Sequence, residues 1–349
     1  MKALLAALAA ALLLAGAPGA EAGVRVGIAD SDGDTFVDPA WRDLGVHLGR
    51  AVVPYDVALT PPVPGSPAGD RRIEFDEWVR NAAAAGVRPL VAFEASRDPA
   101  KRTPDGLPIA PTVDEFSAAM SAFIRGYPSV RQLAPWNEPN FRGSSNPLAG
   151  SPSLAASYYV TLVATCRQER VRCLVAAGEF AGIPGDPYID SYKAALGNVR
   201  PRIWSFHAHT DANRFQAGTD ASAPATRFFL DQLDGWRPRP QFWIDEVGAY
   251  FRDASGKVWG DDSQRATTSF ILGLSSLSPQ IRRIYYYNLS NECSTAARCA
   301  VQDRGVVAPS PWDGTPLPYD TAGRRRGNYA VIADRGPVIV PSAPATTAT

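Results

Sequence analysis

The chain of 349 residues has little of what several large classes of protein depend on. Lys+Arg and Asp+Glu both number 35, so it lacks the basic surplus that phosphate contacts require of nucleic-acid-binding proteins. Charged residues make up only 20% and hydrophobic residues 45%, which excludes a highly charged disordered protein. With 31 Pro, 29 Gly and 2 Met but no sequence repeat, collagen and coiled coils are excluded as well. The composition indicates a loop-rich globular protein with a substantial core.

Long hydrophobic runs are also scarce, and the only one is Ala3–Ala15 near the N-terminus. Lys2 precedes it and the small-x-small sequence Ala20–Ala22 follows it, which is the arrangement of a cleavable signal peptide. A membrane anchor is the alternative, but the run is shorter than the ~20 residues that a span needs. We therefore predict that residues 1–22 are a signal peptide, that the mature protein starts near Gly23, and that it is secreted and not held in a membrane.

Cysteine is rare, with four residues that fall into two close pairs, Cys166 with Cys173 and Cys293 with Cys299. In an exported protein, the simplest prediction is two local disulfides. A zinc site is the alternative, although neither pair has the tight C-x₂₋₄-C spacing of structural zinc sites.

The rest of the chain alternates short β-branched or aromatic runs with segments of helical periodicity, which is typical of βαβ units and a parallel sheet. The predicted strands are Val24–Ala29, Gly49–Val53, Arg88–Phe93, Val130–Pro135, Arg172–Ala176, Arg202–His207, Gln241–Asp245 and Arg282–Tyr287. The predicted helices are Glu74–Ala85, Val113–Gly126, Ser153–Gln168, Tyr188–Leu196, Ala225–Trp236 and Asp262–Leu277.

This pattern predicts an α/β fold of the (β/α)₈ TIM-barrel type in one domain over residues 23–335, followed by a disordered Pro-, Ala- and Thr-rich tail at 336–349. A doubly wound open sheet is the alternative. It would usually carry a G-x-G-x-x-G turn after the first strand, whereas this sequence has the acidic stretch Asp30–Asp34 there. That stretch does not have the spacing of a calcium-binding loop, so we interpret it as a polar loop at the barrel mouth.

Two carboxylates follow apolar strands directly. Glu138 lies in Trp136-Asn137-Glu138-Pro139 after the fourth strand, and Glu246 ends Trp243-Ile-Asp-Glu246 on the seventh. Chemistry in a barrel takes place at the C-terminal ends of the strands, so both side chains could face one cavity. Paired carboxylates flanking one bond are what glycoside hydrolysis requires. Period-two alternation predicts that the neighbouring Asp245 points to the opposite face from Glu246.

These two motifs resemble those of the clan A glycoside hydrolases, notably families 5 and 39. The resemblance implies a (β/α)₈ barrel, a carbohydrate substrate, cleavage with retention of configuration, and no metal or organic cofactor. Glu138 would be the acid/base, Glu246 the nucleophile, and Asn137 the residue that holds the 2-hydroxyl of the sugar.

Further residues match the resemblance less tightly. Arg50 corresponds to an arginine near the nucleophile, and His207 to a histidine on the sixth strand. His209 stands where a tyrosine is usual, and Tyr287 where a tryptophan usually forms the floor of the first sugar subsite. We expect Trp136, Trp243 and Tyr287 to form the sugar-facing surface or its support.

Other functions remain open at this stage. A non-catalytic carbohydrate-binding barrel would retain the aromatic residues but would have lost the chemistry. A serine hydrolase is disfavoured because no G-x-S-x-G turn stands between a strand and a helix. The pair His207 and His209 could bind a metal, but His47 is the only further histidine. Glu94 and Glu179 also end strands, where they could cap helices or bind sugar hydroxyls.

Overall fold

The computed structural model describes residues 23–143, 146–291, 302–308 and 325–334; the predicted signal peptide, Cys293, Cys299 and the predicted tail lie outside these ranges. Its strands are β1 (Arg25–Ala29), β2 (Leu48–Pro54), β3 (Arg88–Glu94), β4 (Gln132–Ala134), β5 (Leu174–Val175), β6 (Glu179–Ala181), β7 (Ile203–His207), β8 (Gln241–Val247) and β9 (Ile281–Tyr287). Its α-helices are α1 (Pro39–Leu44), α2 (Pro67–Ala84), α3 (Val113–Gly126), α4 (Pro152–Gln168), α5 (Tyr188–Ala195), α6 (His209–Gln216), α7 (Pro224–Gln232), α8 (Gly260–Gly273) and α9 (Gly327–Asp334).

The strands form one parallel sheet in the order β5-β4-β3-β2-β1-β9-β8-β7-β6. Its two edges belong to one interrupted strand, because β5 pairs with β4 and β6 pairs with β7. A parallel bridge between Asn137 and Glu179 then joins the chain after β4 to β6. Counting β5 and β6 as one interrupted strand, the sheet closes on itself as an eight-stranded barrel. The predicted (β/α)₈ barrel is confirmed.

Alternation along the strands separates two apolar layers. Residues that face the helices form the larger core, whereas the barrel interior holds a small cluster of Ala29, Leu48, Leu90, Ala92, Ala134, Ala176, Ile203, Trp243 and Tyr285. Small and large side chains share this space. At Gly27, an added Cβ would lie 2.6 Å from a ring carbon of Tyr285, so the glycine makes room for that ring. The interior is a packed floor, on which polar side chains can be positioned.

Helix α3 shows how the outer layer is specified. Thr112 and Glu115 form a reciprocal capping box at its N-terminus, which satisfies main-chain donors that a helix start otherwise leaves unpaired. Phe116, Met120 and Phe123 recur on one face and are fully buried. The predicted helix Val113–Gly126 is confirmed with the same boundaries.

Several elements differ from prediction. Helices α1, α6 and α9 were not predicted, since each is short and its apolar residues do not define a long periodic face. Helix α2 begins at Pro67, earlier than expected, with Ser66 as its N-cap. The fifth strand, predicted over Arg172–Ala176, is reduced to Leu174–Val175, and the chain pairs again after residues 176–178 as β6, which was not predicted. Among the described helices, none has the length and apolar character needed to cross a bilayer.

The predicted disulfide between Cys166 and Cys173 is present, whereas the other predicted pair lies outside the described residues. It joins the end of α4 to the segment before β5, across a sequence separation of 7 residues.

We expect the double variant Cys166→Ser/Cys173→Ser to lose about 2.5 kcal/mol of unfolding free energy, because removing this cross-link restores entropy to the unfolded chain. Urea denaturation measures the loss. An unchanged denaturation midpoint at unchanged m-value would show that the disulfide adds no stability.

Candidate active site

A charged cluster lies above the apolar floor of the barrel, and Arg50 of β2 is at its centre. Leu48 and Val52 belong to the interior apolar layer, and period two places Arg50 between them. The Arg50 side chain is 2% exposed. Its Nη1 donates to Glu246 Oε2 at 2.6 Å, its Nη2 to Asn137 Oδ1 at 2.7 Å, and its Nε to Glu179 Oε2 at 3.1 Å. One buried guanidinium thus joins three different strand ends.

The segment after β4 positions Asn137 and Glu138. The N–H of Asn137 donates to Phe93 O of β3, and the N–H of Glu138 donates to Glu179 O of β6, both at 2.7 Å. Glu138 has a φ of 46°, a left-handed conformation that costs energy for a residue with a Cβ. Asn146 holds this turn by donating from Nδ2 to Glu138 O at 2.9 Å. The Glu138 side chain is 26% exposed, so it is accessible at the barrel mouth.

A bulge in β8 turns Glu246 into the barrel. The register with β7 shifts so that Phe206 pairs with Ile244 but His207 pairs with Glu246, which leaves Asp245 as the extra residue. His207 Nε2 consequently lies 3.7 Å from Asp245 Oδ1 and 4.0 Å from Glu246 Oε2. The prediction that these two carboxylates point to opposite faces is wrong, because it assumed an unbroken alternation.

His207 connects the two glutamates that the sequence singled out. Its Nδ1 donates to Glu138 Oε1 at 2.8 Å, and its Nε2 faces Glu246. Burial alone would lower the pKa of His207, but the negative charges of Glu246 and Glu138 raise it above its usual value. Glu138 and Glu246 therefore lie on either side of one imidazole ring.

Glu246 is held in its ionised form. Burial alone would raise the pKa of Glu246, but the charges of His207 and Arg50 and a hydrogen bond from His209 hold it well below its usual range. That bond joins His209 Nε2 to Glu246 Oε1 at 3.2 Å. Burial and the nearby Arg304 charge lower the pKa of His209, which favours the neutral imidazole with Nε2 as donor.

A second pair of carboxyl groups, Glu179 and Asp245, lies fully buried beneath the first. Burial and then the negative charge of Glu179 raise the pKa of Asp245 well above its usual range, against the opposing charge of Arg50. Three of their four carboxyl oxygens have no hydrogen-bond donor among the described residues. The raised pKa favours the protonated form of Asp245 beside the other carboxyl groups of the cluster.

The aromatic residues take different positions. Tyr287 is half-buried at the end of β9, and its ring stands edge-on to that of His209 at 6.1 Å between centroids. Trp136 is 2% exposed and packs against Tyr55 and Tyr158, and Trp243 is 1% exposed on the interior floor. Only Tyr287 of the three expected aromatics has an accessible ring, which leaves the two tryptophans the supporting role.

Among the described residues, two groups have the composition of a metal site: His207, His209 and Glu246, and Glu179, His207 and Asp245. His207 belongs to both, and its Nδ1 is bonded to Glu138. The cation that contacts the carboxylates is the guanidinium of Arg50. His47 precedes β2 and lies at the opposite end of the barrel from His207, so it cannot complete the H-x-H pair.

Two residues of the site were missed as such. Glu179 was expected to cap a helix or bind a sugar, but it is fully buried and paired with Arg50. Arg304 lies over the Tyr250 ring at 3.5 Å and donates to Gly248 O beside Glu246. For Glu179, its place in an apolar strand could have indicated a buried ion pair. For Arg304, nothing in the neighbouring sequence indicates that its segment returns to the barrel mouth.

Several solved structures are similar to this chain in fold. A glucosidase from Croceicoccus marinus is 13% identical, with a TM-score of 0.59, over 88% of this chain and 65% of its own. Fungal β-1,4-galactanases are 13% identical, with a TM-score of 0.58, over 89% of this chain and 99% of theirs. A GH5_18 protein of Streptomyces cattleya in complex with Manβ1-4GlcNAc is 12% identical, with a TM-score of 0.59, over 89% of this chain and 80% of its own. No family model and no curated protein matches the sequence. At such low identity the similarity establishes the barrel fold.

The raised pKa of Asp245 predicts how the free energy of unfolding depends on pH. Above the unfolded-state pKa of ~3.9, unfolding releases a proton that the folded state keeps, so this group lowers stability as pH rises towards its folded pKa. Asp245→Asn should therefore gain stability relative to the wild type as pH rises from 4 to 8, by about 1.4 kcal/mol for each pH unit traversed below the folded pKa. Urea denaturation at several pH values measures the difference.

Asp262→Asn is the matched control, because Asp262 is 99% exposed and its stability curve should run parallel to that of the wild type. If Asp245→Asn also gave a parallel curve, Asp245 would be ionised in the folded protein.

Proposed function

We propose that the chain is a secreted, retaining glycoside hydrolase that cleaves O-glycosidic bonds of an oligo- or polysaccharide by double displacement. The observation that carries the proposal is the placement of Glu138 and Glu246 on either side of His207 at the C-terminal ends of the strands. Solved glycosidases with the same barrel support it.

Glu246 is the nucleophile in this mechanism. It must be ionised to attack the anomeric carbon, and its lowered pKa, maintained by His207 and Arg50, meets that requirement. Arg50 Nη1 and His209 Nε2 each bond a different carboxylate oxygen, which fixes the plane of the carboxylate. Both donors stabilise the negative charge of the carboxylate, so the nucleophile is kept oriented and anionic until the sugar arrives.

Glu138 is the general acid and base. It protonates the leaving glycosidic oxygen while Glu246 forms the glycosyl–enzyme bond, and then removes a proton from the water that hydrolyses that bond. Its partial exposure leaves the carboxyl group accessible to substrate and water, and His207 Nδ1 holds it in position. Retention requires a separation of ~5–5.5 Å between the two carboxyl groups in the substrate complex.

Asn137 and Tyr287 are suited to bind the sugar. Asn137 Oδ1 is engaged by Arg50, and its Nδ2 makes no hydrogen bond to a described residue, so that amide can donate to a hydroxyl. Tyr287 presents an aromatic ring at the mouth, where it can contact a pyranose face. The N-terminal sequence and the Cys166–Cys173 disulfide support export, since disulfides persist in oxidising compartments.

Glu246→Ala and Glu138→Ala should each lower kcat/KM on a substrate found by screening aryl glycosides and polysaccharides, by about 10²–10⁴-fold or more. With Glu246→Gly, added azide should restore turnover and form a glycosyl azide of α configuration if the enzyme retains a β linkage. Product analysis by NMR identifies the anomer.

Asp262→Ala is the matched control, because it removes a carboxylate that is 99% exposed on the outer helix α8, and it should keep wild-type kcat/KM. Near-normal activity of Glu246→Ala, with activity abolished in Asp245→Ala, would assign the nucleophile to Asp245. Binding of sugars without turnover by the wild type would indicate a non-catalytic carbohydrate-binding barrel.

Tyr287→Ala should lower kcat/KM about tenfold through a raised KM, since an aromatic contact contributes roughly 0.5–1.5 kcal/mol. Tyr287→Phe keeps the ring and should remain close to the wild type. Steady-state kinetics and urea denaturation are measured on both variants. A larger effect on stability than on substrate use would assign the ring to the core.

A further inference from the structure

A second concave surface lies at the opposite end of the barrel. It is a groove of about 590 Å³ next to the Cys166–Cys173 disulfide. Arg172 and Arg202 stand before β5 and β7, at the N-terminal ends of these strands, whereas Glu138 and Glu246 lie at C-terminal ends. Arg202 directly precedes β7 and His207 of the charged cluster ends it, five residues further on, which corresponds to about 16 Å. The groove is therefore distinct from the candidate active site.

Arginine dominates this groove. Its lining includes five arginines and no acidic residue, and we call it the arginine groove: Arg167, Arg170, Arg172, Arg200 and Arg202. All five are exposed. Apolar side chains and the disulfide form the remaining wall. In a chain with a formal net charge of zero, this is a strong local concentration of positive charge.

The positive charge is not neutralised within the described part of the protein. No described carboxylate forms an ion pair with Arg167, Arg170, Arg172 or Arg202. The nearest acidic residue in sequence, Glu169, is turned away, since it accepts a hydrogen bond from Ser121 and lies 3.9 Å from Arg125. Because like charges repel one another, a multivalent anion would stabilise this arrangement.

The local fold keeps the arginines in place. Three of them lie between Cys166 and Cys173, in a loop that the disulfide closes. Arg170 has a φ of 54°, and the N–H of Val171 donates to Cys166 O at 2.9 Å. Arg200 stacks on the Trp236 ring at 4.6 Å and donates to two carbonyl oxygens. A loop held in this way loses less freedom when it binds a ligand.

We propose that the arginine groove binds a stretch of an acidic polysaccharide through carboxylate or sulfate groups. Guanidinium groups pair with such oxyanions in two-point hydrogen bonds. Five guanidinium groups around one depression suit a ligand with several anionic groups better than a single inorganic ion. A concave surface also suits a chain better than the flat face of a bilayer. Binding there would leave the mouth of the barrel open.

The test compares binding of the wild type to polygalacturonate, to heparin and to neutral dextran by titration calorimetry at physiological ionic strength. We expect binding to at least one acidic polymer and none to dextran. Arg170→Gln/Arg172→Gln should weaken that binding about tenfold, because it removes two of the five guanidinium groups. Polygalacturonate offers only carboxylates, so binding to heparin alone would identify sulfate as the recognised group.

Arg80→Gln/Arg265→Gln is the matched control, because it removes the same charge from two arginines that are 68% and 57% exposed on α2 and α8. It should change affinity by less than about twofold. Equal weakening by both double variants would reduce the effect to net charge and overturn the proposal. So would binding to neither acidic polymer, or binding only to vesicles of phosphatidylglycerol.

The result does not depend on whether the chain hydrolyses glycosides. Glu246→Gln should bind the acidic polymer as the wild type does, since Glu246 lies at the other end of the barrel. Conversely, Arg170→Gln/Arg172→Gln should retain wild-type turnover of a small neutral glycoside. Loss of that turnover together with binding would indicate a general folding defect and leave the groove without a separate role.

Discussion

The buried guanidinium of Arg50 is the constraint on which the upper half of the barrel depends. A charge removed from water must be matched by partners of good geometry, and here the partners come from β6, β8 and the segment after β4. The same contacts bring Glu179, Asn137 and Glu246 to one point. The contacts that compensate the buried charge of Arg50 are therefore the same contacts that position the candidate catalytic groups.

Much of this could be predicted from the sequence, because the signals were local. The position of each glutamate after an apolar strand predicted where Glu138 and Glu246 would lie, and the helical periodicity of α3 predicted its boundaries. The bulge at Asp245 could not be predicted, since it depends on how β8 pairs with two neighbours. Arg304 was missed for a similar reason: its position depends on a return of the chain that no short motif encodes.

The barrel interior has two layers that are stabilised in different ways, an apolar floor and a charged layer above it. Its floor is filled by residues such as Leu90, Ala134 and Trp243, which contribute through burial and close packing. The layer above contains carboxyl groups whose protonation depends on one another, as the opposite pKa shifts of Asp245 and Glu246 show. Two adjacent residues of one strand thus have opposite pKa shifts, because burial and the charge of Glu179 raise the pKa of Asp245 whereas His207 and Arg50 lower that of Glu246.

The interrupted fifth strand determines how the barrel would open. Between β4 and the strand halves β5 and β6, closure rests on a short ladder and the single bridge from Asn137 to Glu179. Amide protons along this seam would exchange with solvent sooner than those of the long β2–β3 ladder. The main chain of Glu138 is bonded at this seam, so a transient opening there would displace the acid before it disturbed the nucleophile.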